Sequence, residues 1–210
     1  MMKRIYRLLT FILYIMLCGS AVHAQSLEDF YKVIRPAQPT QTEDKVEVLE
    51  IFSYACPHCY SFEPQLQKWL QGMSDKAEFR RMPAVFRDDY IPVAKAYYTA
   101  AKLGIIEKIH QPLFDAIHKQ RKYDLLEEDS LRDFFVEMGV DSDEFDRTFN
   151  SMEIKTKIRQ AEVMGKKYRI PHVPIIIING KYMTSPSDAK SFENLFNVMD
   201  TLILQESSGS

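Results

Sequence analysis

Cys56-Pro57-His58-Cys59 is the stretch of this chain best suited to chemistry, with two thiols three positions apart. It follows a strand-like run, Val46 to Ser53, and precedes a helix-like one. With Cys56 as N-cap, Pro57 takes the first helical position, where its missing N–H costs nothing. The Cys56 sulfur then faces the backbone N–H groups of His58 and Cys59. Those donors and the helix dipole favour thiolate over thiol and make the sulfur reactive. His58, if protonated or turned toward the sulfur, adds to this. Cys59, one turn into the helix, is expected to be more buried and to act as the resolving thiol. Were Cys56 to titrate at about 4 instead of about 8.5, its reduced form would gain roughly 4 kcal/mol at pH 7, about 90 mV toward a stronger oxidant.

Two neighbours bear on this chemistry. Glu50 lies six residues before Cys56 in an otherwise apolar strand. Buried there, it would have a raised pKa and could take the proton that Cys59 loses during exchange; facing solvent, as Glu47 is expected to, it would be inert. Pro64 falls inside the apolar pattern of the following helix and is expected to kink it rather than mark a later start, which would strand Phe62 outside its own stripe.

The elements that position these residues can be read around them. Lys3, Arg4 and Arg7, the apolar run Leu8 to Leu17 and the Val22-His23-Ala24 site form a secretory signal over 1–24, cut after Ala24. Ten apolar residues are too few to span a bilayer, which needs about 20, and Leu17 is a bulky neighbour for a lipid anchor at Cys18. Cleavage removes Cys18 and leaves 186 residues whose only cysteines are Cys56 and Cys59. A bridge across two intervening residues constrains the unfolded chain very little, so the pair is kept for chemistry rather than as a staple. The leader carries three basic residues and no acidic ones, so net charge falls from −2 to −5 on cleavage. A mildly acidic chain without basic stripes is a poor candidate for nucleic acid or an anionic membrane surface.

Val46 to Phe52 reads as a buried parallel strand, and Glu78 to Val85 as a second. The helix after the motif carries Phe62, Leu66, Trp69, Leu70 and Met73 and stops at Gln71-Gly72. From Phe86 to Tyr168 the pattern is helical: one helix opened by Pro92 and closed by Leu103-Gly104, then segments near Ile105–Lys119, Ser130–Met138, Asp143–Asn150 and Met152–Lys167. Strand chemistry returns at Ile175 to Ile178, and Asn179-Gly180 predicts a hairpin to Lys181-Tyr182-Met183. A last helix is expected from a Ser187 cap, with Phe192, Leu195, Phe196 and Met199 on its apolar face. The fold class is α/β, a sheet domain over 25–86 and 169–210 interrupted by a helical insertion over 87–168.

The chain resembles the DsbA family of periplasmic thiol–disulfide oxidoreductases, which have a thioredoxin-like fold with an inserted helical domain. The resemblance rests on Glu50-Ile51-Phe52-Ser53-Tyr54-Ala55-Cys56-Pro57-His58-Cys59-Tyr60, on Val173-Pro174 and on Asn179-Gly180-Lys181-Tyr182, and it spans the mature chain. It implies Cys56 as nucleophile, Cys59 as resolving cysteine and His58 as the residue between them that tunes potential. It also implies a cis Pro174 facing the disulfide, a Val173 backbone that pairs with extended substrate, Glu50 as buried carboxylate and Glu63 as a second acid nearby. Many relatives carry Gly before that Val, whereas this chain has Pro171-His172; His172 either stands over the sulfurs or, as expected, faces solvent. The implied partners are reduced exported proteins and a DsbB-type membrane quinone oxidoreductase, with a periplasmic monomer and no cofactor beyond the Cys56–Cys59 disulfide.

Other chemistries fit less well. Covalent haem attachment needs His directly after the second cysteine, where Tyr60 stands. Structural zinc needs two more ligands, and His110 and His118 fall on expected helices, where solvated or satisfied histidines are the default. No metal site is expected. A disulfide isomerase or reductase of the same fold is the enzymatic alternative, with little room here for an N-terminal dimerisation segment. A thioredoxin-like binding protein or chaperone is the non-catalytic one.

Overall fold

The computed structural model describes residues 26–121 and 127–209. The expected signal peptide, its cut after Ala24 and Cys18 lie outside the described residues. Leu27–Phe30 form a 3-10 turn that leads into β1 (Lys32–Val33), an edge strand of the sheet. There follow β2 (Val46–Phe52), α1 (Pro57–Leu70) and β3 (Ala77–Pro83). Helices α2 (Ile91–Lys102), α3 (Ile106–Asp115), α4 (Glu128–Glu137), α5 (Ser142–Phe149) and α6 (Met152–Tyr168) come next, α3 running on as a wider π turn over Ala116–Gln120. The chain closes with β4 (Ile175–Ile178), β5 (Tyr182–Thr184), a short α7 (Pro186–Ala189) and α8 (Phe192–Ser208). No described helix is long and apolar enough to cross a membrane.

The strands lie in the order β1-β5-β4-β2-β3. β2 runs parallel to β3, the two joined through α1, and antiparallel to β4, placing Glu50 opposite Arg81 on one side and Ile176 on the other. The β4–β5 hairpin pairs Ile178 with Tyr182, so Asn179, Gly180 and Lys181 form its turn, with Asn179 and Gly180 both at positive φ (50° and 65°), where Asn and Gly are the residues best tolerated. At Gly180 any side chain would also collide with the Gln38 carbonyl, 2.0 Å from where its Cβ would stand.

Both faces of the sheet are covered, and the period of two along each strand sorts the core. Ile175 and Ile177 pack with Leu49 and Ile51 against the α2–α6 block, whereas Ile176 and Ile178 pack with Val46 and Val48 against α1 and α8. Burying each isoleucine contributes about 2 kcal/mol. This double cover corrects one expectation: Glu47 does not face solvent. It is buried, accepts the Gln41 N–H at 2.9 Å and lies 3.7 Å from Arg80. The Ser187 cap is corrected too. Ser185 caps α7, and the last helix starts later, with the Ser191 hydroxyl accepting the Asn194 N–H.

Candidate active site

β2 runs out at Phe52, and the turn Ser53–Ala55 delivers Cys56 to the start of α1 as its N-cap, with Pro57 at the first helical position. Both cysteines are free thiols, so the geometry is that of the dithiol form. Cys56 is 6 % exposed and Cys59 1 %, the order expected from their places on the helix. The Cys56 thiol donates to the Val173 carbonyl at 3.4 Å, which brings β2's motif against the loop that enters β4. In that loop the Val173–Pro174 bond is cis. α1 continues unbroken through Pro64, so the later helix start is ruled out.

The two sulfurs sit in opposite electrostatic settings. A hydrogen bond from the Cys59 thiol lowers the Cys56 pKa to about 6, against burial, with help from the backbone N–H groups of Cys59 and His58 and the charge of His58. That is a milder shift than the one to about 4 considered from the sequence. After a discount for the solvent reaching the sulfur, it favours the reduced form by about 1 kcal/mol at pH 7, or roughly 20 mV. Burial pushes the Cys59 thiol well above its ordinary value, and the charges of Cys56 and Glu50 push it further.

Beneath Cys59 lies a buried charge network in which β2 contributes Glu50, α1 contributes Glu63 and β3 contributes Arg81. Arg81 donates from Nε to Glu50 at 2.8 Å and from its terminal nitrogen to both Glu63 oxygens at 2.8 and 3.0 Å. The sequence left Glu50 between two settings, and the structure places it inside, 1 % exposed. Burial raises its pKa to about 7; Arg81 opposes that rise and Glu63 reinforces it. For Glu63 burial acts upward as well, but His110, Arg81 and Gln67 outweigh it and hold the carboxyl below its ordinary range. One carboxyl is thus poised near neutrality while the other stays ionised, an arrangement suited to moving a proton.

Sequence reasoning missed Arg81, Tyr54 and His110. His110 comes from α3, is buried, and meets the Tyr54 hydroxyl at 2.8 Å through Nδ1. His118 is satisfied by a bond across the fold, its Nε2–H donating to the Tyr54 carbonyl at 2.7 Å, and its ring stacks on Tyr60. Among the described residues no group of three His, Cys, Asp or Glu is arranged to hold a metal ion. His58 and His172 are both exposed, His172 on the loop before Val173 with no hydrogen bond or ion pair to the sulfurs.

A model of the DSBA-like thioredoxin domain matches residues 81–199. The thiol:disulfide interchange protein DsbA of Burkholderia cepacia is 38% identical over 176 residues, 83% of this chain and 82% of the relative. The crystal structure of the oxidoreductase DsbA from Xylella fastidiosa superposes with a TM-score of 0.80 at 33% identity, covering 85% of this chain and 96% of that one. That of Pseudomonas aeruginosa DsbA gives 0.80 at 32% identity over 85% and 93%. A domain match over more than half of the chain, and identity sustained along most of the length of a relative, make this protein a member of the DSBA-like thioredoxin domain family.

Proposed function

We propose that the protein is a thiol:disulfide oxidoreductase working as a dithiol oxidase, passing the Cys56–Cys59 disulfide to reduced exported proteins as they fold. The observation that carries this reading is the contrast between the sulfurs, with Cys56 lowered to about 6 and Cys59 raised by burial. A substrate thiolate attacks Cys56, the Cys56–Cys59 bond breaks, and Cys59 leaves with the electron pair and takes up a proton. A second substrate thiolate then attacks the substrate sulfur of the mixed disulfide, expelling Cys56 as a thiolate. Two electrons have moved from substrate to protein: the substrate ends as a disulfide and the protein as Cys56 thiolate and Cys59 thiol. Because Cys56 is more comfortable ionised than bridged, the transfer runs toward substrate.

Each residue then has a role. Cys56 is the nucleophile and the point of substrate attack, and Cys59 the resolving cysteine. His58 and Pro57 set the helix start and the charge beside Cys56. Glu50 exchanges a proton with Cys59. Val173 and the cis Pro174 present an edge on which extended substrate pairs, the Val173 carbonyl being already in reach of Cys56. His172, exposed, is at most a rim contact. The division into a thioredoxin-like unit (25–86 and 169–210) and a helical insertion (87–168) fits the run of helices between β3 and β4. Export behind the 1–24 leader to the periplasm, reoxidation by a DsbB-type quinone-coupled partner, a monomeric state and independence from a dissociable cofactor complete the reading.

The test is to mix oxidised protein with a reduced two-cysteine peptide and, separately, to equilibrate it with glutathione. Stoichiometric peptide oxidation and a potential well above the glutathione couple are expected. A strongly reducing potential would make the protein a reductase, and repair of scrambled disulfides without added oxidant would make it an isomerase.

A further inference from the structure

The segment Phe86 to Tyr90 links β3 to α2 beside the sulfurs, and the disulfide chemistry leaves it unused. Asp88–Tyr90 form a 3-10 turn that runs straight into α2. Tyr90 packs against the core cluster that holds Cys56, Cys59 and Val85. Burial raises its pKa, and the charges of Cys56 and Cys59 add to the rise against Arg87, so its hydroxyl stands within electrostatic reach of both sulfurs. That hydroxyl makes no hydrogen bond among the described residues. The Phe86 ring, 46 % exposed, sits 5.5 Å from the Tyr90 ring. Arg87 lies 5.2 Å over Tyr90 and is held by Asp89 at 2.8 and 2.5 Å. Single exposed aromatics are ordinary on a surface, but Phe86 also walls a groove.

That groove encloses about 430 Å³ between the Phe86–Ile91 segment and the end of α6. Its lining includes Met82, Val85, Phe86, Ile91, Ile158 and Ile170, the three isoleucines only half-buried. The charged residues around it are two acids, Asp88 and Glu162, and two bases, Lys166 and Arg169, so no net charge selects its occupant. Both walls lead to the reacting sulfur. Four residues beyond Phe86 stands Tyr90, and three beyond Ile170 stands Val173, whose carbonyl accepts the Cys56 thiol at 3.4 Å.

We propose that this groove, walled by Phe86 and Ile170 and entered past Tyr90, receives a large apolar side chain flanking the reacting cysteine of an unfolded substrate. This use of the groove rests on the oxidase reading and names its substrate class. Ile170 lies three residues from Val173, so extended substrate held at Val173 brings its second or third flanking residue alongside. The free Tyr90 hydroxyl offers the passing backbone a hydrogen-bond partner. A chain still folding exposes apolar side chains that a folded one has buried. The groove therefore favours polypeptide that is yet to fold and lets it go once those side chains withdraw.

In the test, oxidised protein is mixed with reduced two-cysteine peptides bearing Phe or Ser at the second or third position on either flank of the first cysteine. Phe on one flank is expected to raise the second-order rate constant about tenfold, or about 1.4 kcal/mol. In Phe86→Ser and in Ile170→Ser that preference should fall to within about twofold. Leu204→Ser, which removes an exposed apolar side chain from α8 across the sheet, should keep it. A second measurement needs neither variant nor disulfide: isoleucine methyl shifts of the wild type, titrated with the Phe peptide whose cysteines are replaced by serine. Shifts are expected at Ile91 and Ile170. Equal rates for Phe and Ser at every position, a preference that survives both groove variants, or methyl shifts confined to other isoleucines overturn the proposal. So do Ile91 and Ile170 shifts that follow protein concentration alone, which would put a second copy in the groove. Protein that binds the peptide there but oxidises none fails the oxidase reading alone.

Discussion

Cys56 and Cys59 stand on the same turn of one helix, yet the surroundings of the two sulfurs treat a negative charge in opposite ways. At Cys56 the Cys59 thiol, the helix N–H groups and the charge of His58 converge on the sulfur, and the pKa falls to about 6. At Cys59 burial dominates, and the nearest charges, Cys56 and Glu50, are negative, so the thiol holds its proton. A cysteine pair in a uniform setting would have no preferred leaving group. In the proposed mechanism the difference makes Cys56 the sulfur to be expelled and leaves Cys59 dependent on a neighbour to move its proton.

The largest expected effect breaks the pair itself. Cys56→Ser should abolish peptide oxidation, a loss of at least about 1,000-fold, whereas Cys59→Ser should still form a mixed disulfide with the peptide and stall there. Oxidation surviving in Cys56→Ser would return the chain to a binding protein.

Glu50→Gln sharpens the comparison on the Cys59 side. Steps that move the Cys59 proton should slow by about 10- to 100-fold at pH 7, read by quenched-flow resolution of the mixed disulfide. The same variant has a stability signature. Burial raises Glu50 from 4.5 to about 7, so folding takes up a proton between those values and the wild type loses stability as pH rises through that window. Gln removes the loss. In urea unfolding of the reduced protein, the variant should match the wild type near pH 5 and exceed it by about 2 kcal/mol at pH 8. Equal stability at both would mean that Glu50 is ionised throughout.

On the Cys56 side the effects are smaller. His58 contributes the least of the causes that lower Cys56, so His58→Phe should raise the thiolate midpoint by about half a unit, with roughly threefold less thiolate in mild acid by ultraviolet absorbance. A rise of several units would give the dipeptide residue the main role. His172→Ala, an exposed position, should leave both the thiolate titration and the peptide KM within about twofold. A larger change in KM alone would return His172 to the substrate edge.

What could be read from the sequence follows the same division. The N-cap, Pro57, the helix through Pro64 and the Asn179-Gly180 hairpin depend on near neighbours along the chain, and spacing alone reveals them. Glu47 was expected in solvent although its strand reads as buried; the partners that let it lie inside, the Gln41 N–H and Arg80, are not visible in the spacing along β2. His110 was invisible as a site residue because its partner Tyr54 lies 56 positions away and is brought to it only when α3 packs over the end of β2. Arg81 carries no local signal along the chain; only the β2–β3 register sets it opposite Glu50. The Ser187 error has a local origin: Pro186 and Ser187 do begin a helix, but α7 ends at Ala189, and Ser191 starts the longer one.

The most direct test of the contrast between the sulfurs is the alkylation rate of Cys56 in the reduced protein as a function of pH. An inflection near 6, with the thiolate already predominant at neutrality, is the expected result. A rate that stays low through neutrality and climbs only in alkali, toward the ordinary thiol value of about 8.5, would contradict the account.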